Sequence, residues 1–112
     1  PKVVKAIRKQ AGDYLHLLVY GELVETPQVA YATLLTKLLP SSLNSVYFTS
    51  SGAEATEGAM KLAKRVTGRT QMIAFNHSYH GSTQGALSLM GDEYWRNAYR
   101  PLLPGILHLE YN

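Results

Sequence analysis

The 112-residue chain has no cysteine. That excludes disulfide scaffolds, thiolate metal sites and cysteine nucleophiles together, and it accords with a reducing compartment. No uninterrupted apolar run is long enough to cross a bilayer, and the first ten residues, PKVVKAIRKQ, lack the apolar core of a signal peptide. The expectation is a soluble, cytoplasmic protein with no membrane partner. The Walker phosphate loop, the G-x-G-x-x-G turn and the G-x-S-x-G elbow are all missing. Concentrated charge is missing too. Eleven Lys and Arg against eight Asp and Glu leave a net charge of +3, but the basic residues are scattered. Nucleic-acid binding needs one dense basic face with interleaved aromatics, so no nucleic-acid partner is expected. His77 and His80 lie close in sequence, yet no third ligand is spaced to join them, and no metal is expected.

What is present is enough for a packed core: 46% of the residues are hydrophobic and 17% charged. Val4, Ile7, Ala11, Tyr14, Leu15 and Leu18 recur at helical spacing and predict an amphipathic helix over residues 2–18, with Gly12 a weak point inside it. Thr26-Pro27 reads as an N-cap followed by proline at the first helical position. The helix it opens should run through QVAYATLLTKLL and stop at Pro40, whose ring excludes continuation.

Beyond the polar turn PSSLN the pattern changes. Residues 46–48, Val-Tyr-Phe, form a short strand candidate. A helix follows, with Ala55, Ala59, Leu62, Ala63 and Val66 on one face and the pair Glu57, Lys61 on the opposite face. Gly68 suits its C-cap. QMIAF (71–75) is a second strand and ILHLEY (106–111) a third, separated by a polar loop, a weak helix near 83–90 and an irregular stretch, GDEYWRNAYRPLLPG. Asp92 and Glu93 in that stretch read as solvated. The order strand, helix, strand, helix, loop, strand argues for an α/β fold with a mainly parallel sheet. Three strands with no helix after the last leave such a sheet uncovered, so the chain reads as an incomplete domain. Residues 1–40 form a helical segment leading in, and residues 41–112 the first part of the α/β domain.

Two loops carry candidate chemistry. In YFTSSGAEA, Ser51 and Glu54 form a capping-box pattern at a helix start. The same position exposes unpaired backbone N–H groups at the positive end of a helix dipole, and Gly52 and Ala53 let a phosphate approach them. Cap and phosphate site are compatible, and the local pattern leaves both open. The second loop, NHSYHG (76–81), follows a strand, where ligands of open α/β sheets gather. Tyr79 offers a flat ring for stacking and Gly81 relieves crowding beside it; an ordinary turn with a partly buried tyrosine fits the same residues. Ser50, Ser51 and His80 have nothing to orient them as nucleophile and base.

The stretch VYFTSSGAEATEGAMKLAKRVTGRTQMIAFNHSYHGSTQGALSLMG resembles the class III aminotransferases, pyridoxal-phosphate enzymes of fold type I, with the acetylornithine and ornithine branch nearest. The likeness extends back through PKVVKAIRKQ and PQVAYATLLTKLLP and forward through YRPLLPGILHLEYN, so it covers the whole chain. It implies that Ser51, Gly52 and Ala53 cradle the cofactor phosphate and that Tyr79 stacks on its pyridine ring. Glu54 supports the loop, and Tyr20 falls where relatives place substrate-pocket residues. The implied cofactor is pyridoxal 5'-phosphate. The implied reaction moves an amino group from an amino donor to a keto acid or aldehyde in a homodimer. An aminomutase or decarboxylase on the same scaffold, or a non-catalytic remnant or interaction module, is the alternative. None of Lys2, Lys5, Lys9, Lys37, Lys61 or Lys64 sits in the context of the family's Schiff-base lysine. This stretch alone therefore supplies no catalytic residue and is expected to be inactive.

Overall fold

Helix α1 spans Lys2–Asp13, and its last turn shows why it goes no further. Gly12 costs conformational entropy there, and Tyr14 is extended (φ −171°, ψ 150°) while its N–H donates back to Gln10 O at 2.9 Å. Gln10 Nε2 donates in turn to Tyr14 O at 3.1 Å, and Lys9 pairs with Asp13. The helix thus stops at Asp13, short of the expected residue 18; Leu18 lies outside the described residues. The computed structural model describes residues 1–15 and 23–112, in two units, Pro1–Tyr47 and Phe48–Asn112.

The first unit also holds α2, Thr26–Leu38. Its cap is Glu25 rather than the expected Thr26. Glu25 is extended (φ −89°, ψ 108°) and its carbonyl accepts the first helical bond, from Val29 N at 3.3 Å, which places Thr26 inside the first turn beside Pro27. The helix ends as expected. Leu39, the residue before Pro40, is driven to ψ 162° because the proline ring disfavours a helical conformation there. Leu43 N then donates to Pro40 O at 2.8 Å and closes the turn.

Residues 46–48, expected as a strand, pair with no strand among the described residues. Strand preference reflects fit to a pleated, half-buried surface rather than an intrinsic backbone choice, and Tyr47 and Phe48 are exposed. The second unit is built instead on α3 (Gly52–Thr67), β1 (Met72–Phe75), α4 (Gln84–Leu89), α5 (Glu93–Arg96), a 3-10 turn (Asn97–Tyr99) and β2 (Ile106–Leu109). Strands β1 and β2 are parallel, in register from Met72↔Ile106 to Phe75↔Leu109. Among the described residues two strands pair, not the expected three. Their ladder is extended by Met72 N donating to Gly105 O and Asn76 N to Leu109 O, both at 2.8 Å.

Strand alternation sorts the sheet's two faces. Ala74, with Met72 and Ile106, packs against Met60 of α3 and Leu89 of α4. Burying a Met or Leu side chain contributes about 1.5–3 kcal/mol, so these two anchors hold the helices to the sheet. Ile73, Phe75, Leu107 and Leu109 face the other way and are exposed. Helix α4 is short but buried throughout, from Gly85 to Leu89. Ser88 is its one buried polar side chain: its hydroxyl donates to Gln84 O at 2.6 Å and accepts from Leu103 N at 2.9 Å.

Two further expectations are corrected here. The packed stripe of α3 runs through the half-buried Ala53, Thr56 and Glu57 to the buried Met60, whereas Ala55, Ala59, Leu62, Ala63 and Val66 are exposed. Of the pair set on the opposite face, Glu57 packs and Lys61 is exposed. The stretch expected to be irregular is helical over residues 93–99: Asp92 caps α5 by accepting from Tyr94 N at 2.9 Å, and Glu93 pairs with Arg96 and, at 2.7 Å, with Arg100. Glu93 is exposed, as expected, and Asp92 is half-buried; both carboxylates nonetheless make local contacts.

Candidate functional site

The start of α3 is fixed by its own sequence. Ser51 is extended (φ −153°, ψ 161°), and its Oγ accepts from Glu54 N at 3.2 Å. Glu54 Oε2 reaches back to accept from Ser50 N at 2.7 Å, one residue earlier than the simplest capping box would place it. The helical ladder opens with Ala55 N donating to Ser51 O at 3.1 Å. That leaves the N–H groups of Gly52 and Ala53 with no acceptor inside the helix, at the positive end of a 16-residue dipole. A Cβ built on Gly52 would meet no atom of the rest of the protein within 4 Å, so the space beside Gly52 is open. The helix closes as expected, with Gly68 left-handed (φ 68°) and its N–H on Lys64 O at 2.9 Å.

The loop after β1 forms the facing wall. Ser78 donates from its hydroxyl to Phe75 O, and Gly91 N donates to Ser78 O at 3.3 Å. Tyr79 is 72% exposed, with its hydroxyl 3.2 Å from Ser82 Oγ. Gly81 (φ 127°) lies so close to α3 that a Cβ on it would sit 2.5 Å from Ala53 Cβ and 2.8 Å from Ala53 Cα. Crowding at Gly81 therefore comes from Ala53, and no ligand is needed to explain the glycine. Thr56 Oγ1 donates to His80 O at 3.3 Å and adds a second tie between helix and loop.

Together these elements line an open cavity of about 560 Å³, bordered by Ser51, Gly52, Ala53, Thr56, Tyr79, His80, Gly81 and Ser82. Ser51, Gly52, Ala53 and Tyr79, separated by as many as 28 positions in sequence, thus line one cavity. Its chemistry is that of an anion site beside an aromatic face: two outward N–H donors, hydroxyls from Ser51 and Ser82, and an exposed ring. No lysine among the described residues lines it. Nor do the described residues hold a group of three His, Asp or Glu placed for a metal ion. Tyr20 lies outside the described residues.

Glu57 was missed as a site element. Its Oε1 accepts from Thr83 Oγ1 at 2.7 Å, Gly85 N at 2.8 Å and Ala86 N at 3.2 Å, so it caps α4 from α3. The Thr83 hydroxyl is the largest influence holding its carboxyl below the usual carboxylate range; burial, next in size, opposes it, and the Ala86 and Gly85 N–H groups and Lys61 add to the lowering. A signal was available. Ala53, Glu57 and Met60 stand at i, i+4 and i+7, which puts an acid on the stripe that packs.

Comparison with known proteins adds an independent line. The family profile for aminotransferase class-III matches residues 1–112. Acetylornithine aminotransferase of Methanopyrus kandleri is 41% identical over 99% of this chain and 28% of its own length. The Bacillus anthracis acetylornithine aminotransferase is 37% identical over 100% of the chain and 28% of its own. Among solved structures, taurine:2-oxoglutarate aminotransferase of Bifidobacterium kashiwanohense, in complex with PLP and glutamate, superposes with a TM-score of 0.91 at 32% identity, over 100% of this chain and 25% of that one. An adenosylmethionine-8-amino-7-oxononanoate aminotransferase from Methanocaldococcus jannaschii gives 0.89 at 32% identity, over 97% of this chain and 26% of that one. The chain spans 28% of the length of these curated relatives.

Proposed function

The chain belongs to the class III aminotransferases, with the α/β fold of fold type I transaminases, and from that membership we propose that its cavity is the phosphate end of a pyridoxal 5'-phosphate site. The residues present fit the group. Gly52 and Ala53 offer backbone N–H donors to a phosphate dianion, Ser51 adds a hydroxyl, and the open space at Gly52 admits the oxygens. Tyr79 supplies a ring against which the pyridine can stack. The observation that carries the proposal is that these donors and this ring line one cavity.

When bound, the cofactor supplies the carbonyl chemistry that carries an amino group and the ring that accepts electron density. The residues of this chain bind and orient: the helix start holds charge at one end, and Tyr79 limits tilt of the ring. The reaction proposed for the whole protein is amino transfer from an amino donor to a keto acid or aldehyde, with a lysine outside this stretch as the covalent anchor. A homodimer in the cytoplasm is the accompanying proposal, as is the division into a leading segment (1–40) and the first part of the cofactor domain (41–112).

The test is Gly52→Val in the full-length enzyme. A Cβ there meets no protein atom within 4 Å, so the apoprotein should unfold at the same denaturant concentration as wild type. Cofactor affinity, followed by absorbance of the bound form during dialysis, should fall about 10–100-fold, the loss of one or two charge-assisted hydrogen bonds. Unchanged cofactor retention would overturn the assignment.

A further inference from the structure

The cradle and the stacking ring lie on different elements, and something must set the distance between them. The cradle is the first turn of α3. The ring belongs to a loop that ends at Thr83, where α4 begins. One carboxylate oxygen joins the two: Glu57 Oε1, one turn below Ala53 on α3, accepts from Thr83 Oγ1, Gly85 N and Ala86 N. The neighbouring loop residue Ser82 meets the Tyr79 hydroxyl at 3.2 Å, so the path from Glu57 to the ring is short. A separate observation shows that the chain makes room for this carboxylate. A Cβ on Gly85 would lie 2.3 Å from Glu57 Oε2 and 2.6 Å from Oε1, so any side chain at Gly85 would displace it.

We propose that Glu57 is a positioning residue, fixing the Tyr79 loop against the α3 start so that phosphate donors and ring face are held at the spacing of one ligand. The proposal rests on the cofactor-site reading above. Glu57 touches no ligand; it is not one of the residues lining the cavity. Its effect should therefore fall on seating of the ring and not on capture of phosphate alone. A carboxylate suits the task because three donors converge on one oxygen, and charge-assisted bonds of this kind are about twice as strong as neutral ones.

Apoenzyme of the full-length protein, wild type and Glu57→Gln, separates the possibilities when titrated with inorganic phosphate and with pyridoxal phosphate. Glu57→Gln should bind inorganic phosphate as wild type does, bind pyridoxal phosphate about 10-fold more weakly, and lose induced circular dichroism of the bound ring. Thr83→Val removes one of the three donors and should reproduce the effect at about 3-fold, which keeps the idea testable if Glu57→Gln folds poorly. Wild-type pyridoxal phosphate affinity and dichroism in both variants would overturn the proposal. Equal loss of phosphate and pyridoxal phosphate would also overturn it, by showing general loosening of the site. If Gly52→Val keeps both ligands, the cofactor-site reading fails, a result distinct from either outcome for Glu57.

Discussion

A single methyl group at Gly81 probes the tightest packing in the site. In Gly81→Ala the new Cβ would stand 2.5 Å from Ala53 Cβ, 2.8 Å from Ala53 Cα and 3.3 Å from Ala86 Cβ. Carbon atoms rest at about 3.5–4.0 Å, so the first two contacts overlap by roughly 1 Å. Neither can be relieved by a rotamer change, because Ala53 has no rotamer and its Cα belongs to the helix backbone. Overpacking of this kind costs about 1–3 kcal/mol. The backbone adds its own term. Gly81 has φ 127°, where an L side chain is strained by about 1–3 kcal/mol. The sum is a loss of about 2–6 kcal/mol, read as the shift in urea unfolding of the apoenzyme. Ala53→Gly in the same molecule removes the 2.5 Å contact but leaves the 2.8 Å contact and the positive φ. The double variant should recover part of the loss, with a coupling of about 0.5–3 kcal/mol. A loss below about 0.5 kcal/mol for Gly81→Ala would refute the reasoning, since that is the range of unstrained surface changes. Full recovery in the double variant would refute the backbone term.

Ser51→Ala should cost about 1 kcal/mol through loss of the cap to Glu54 N, again by urea unfolding. Ser51→Asp keeps the cap and the stability but sets a carboxylate beside the proposed phosphate, so pyridoxal phosphate affinity should fall by about 10-fold in a titration of the apoenzyme; an unchanged affinity counts against the cradle. Acid should act through Glu57 and Glu93, whose carboxyls are both held below the usual range, Glu57 first by Thr83 and Glu93 first by Arg100. With folded values below unfolded ones, their contribution is present above the unfolded value of 4.5 and is lost as pH falls through the folded values. Glu57→Gln should therefore flatten the stability profile below that pH and leave its slope from pH 7 to 9 as in wild type; an unaltered acid limb speaks against the Glu57 contacts.

Much of the site was legible because its elements are local. Ser51, Gly52, Ala53 and Glu54 are contiguous, and helix-start rules act over four residues, so the cap was readable and so was the pair of exposed donors. Gly68 as the C-cap and the stop before Pro40 are local in the same sense. Three of the misreadings depend on distant partners. Residues 46–48 look like a strand by composition but have no neighbour to pair with among the described residues. Glu57 was read only as a partner of Lys61 on the face opposite the apolar one, because the donors that claim it, at positions 83, 85 and 86, stand 26 to 29 residues away. The apolar count favoured the Ala55–Val66 side of α3, yet the side that packs is the one whose small residues, Ala53 among them, admit the Tyr79 loop.

By itself the sequence determined the helix caps and the identity of the two loops, since both follow from short-range backbone chemistry. It also carried the family resemblance that the comparisons support. Tertiary structure alone decided that the two loops share one cavity, that Gly81 answers to Ala53, and that Glu57 faces inward to cap α4. The physical reason is the same in each case. Hydrogen bonds and steric exclusion act over a few ångströms of space, and only folding brings residues 53, 57, 81 and 85 within that range.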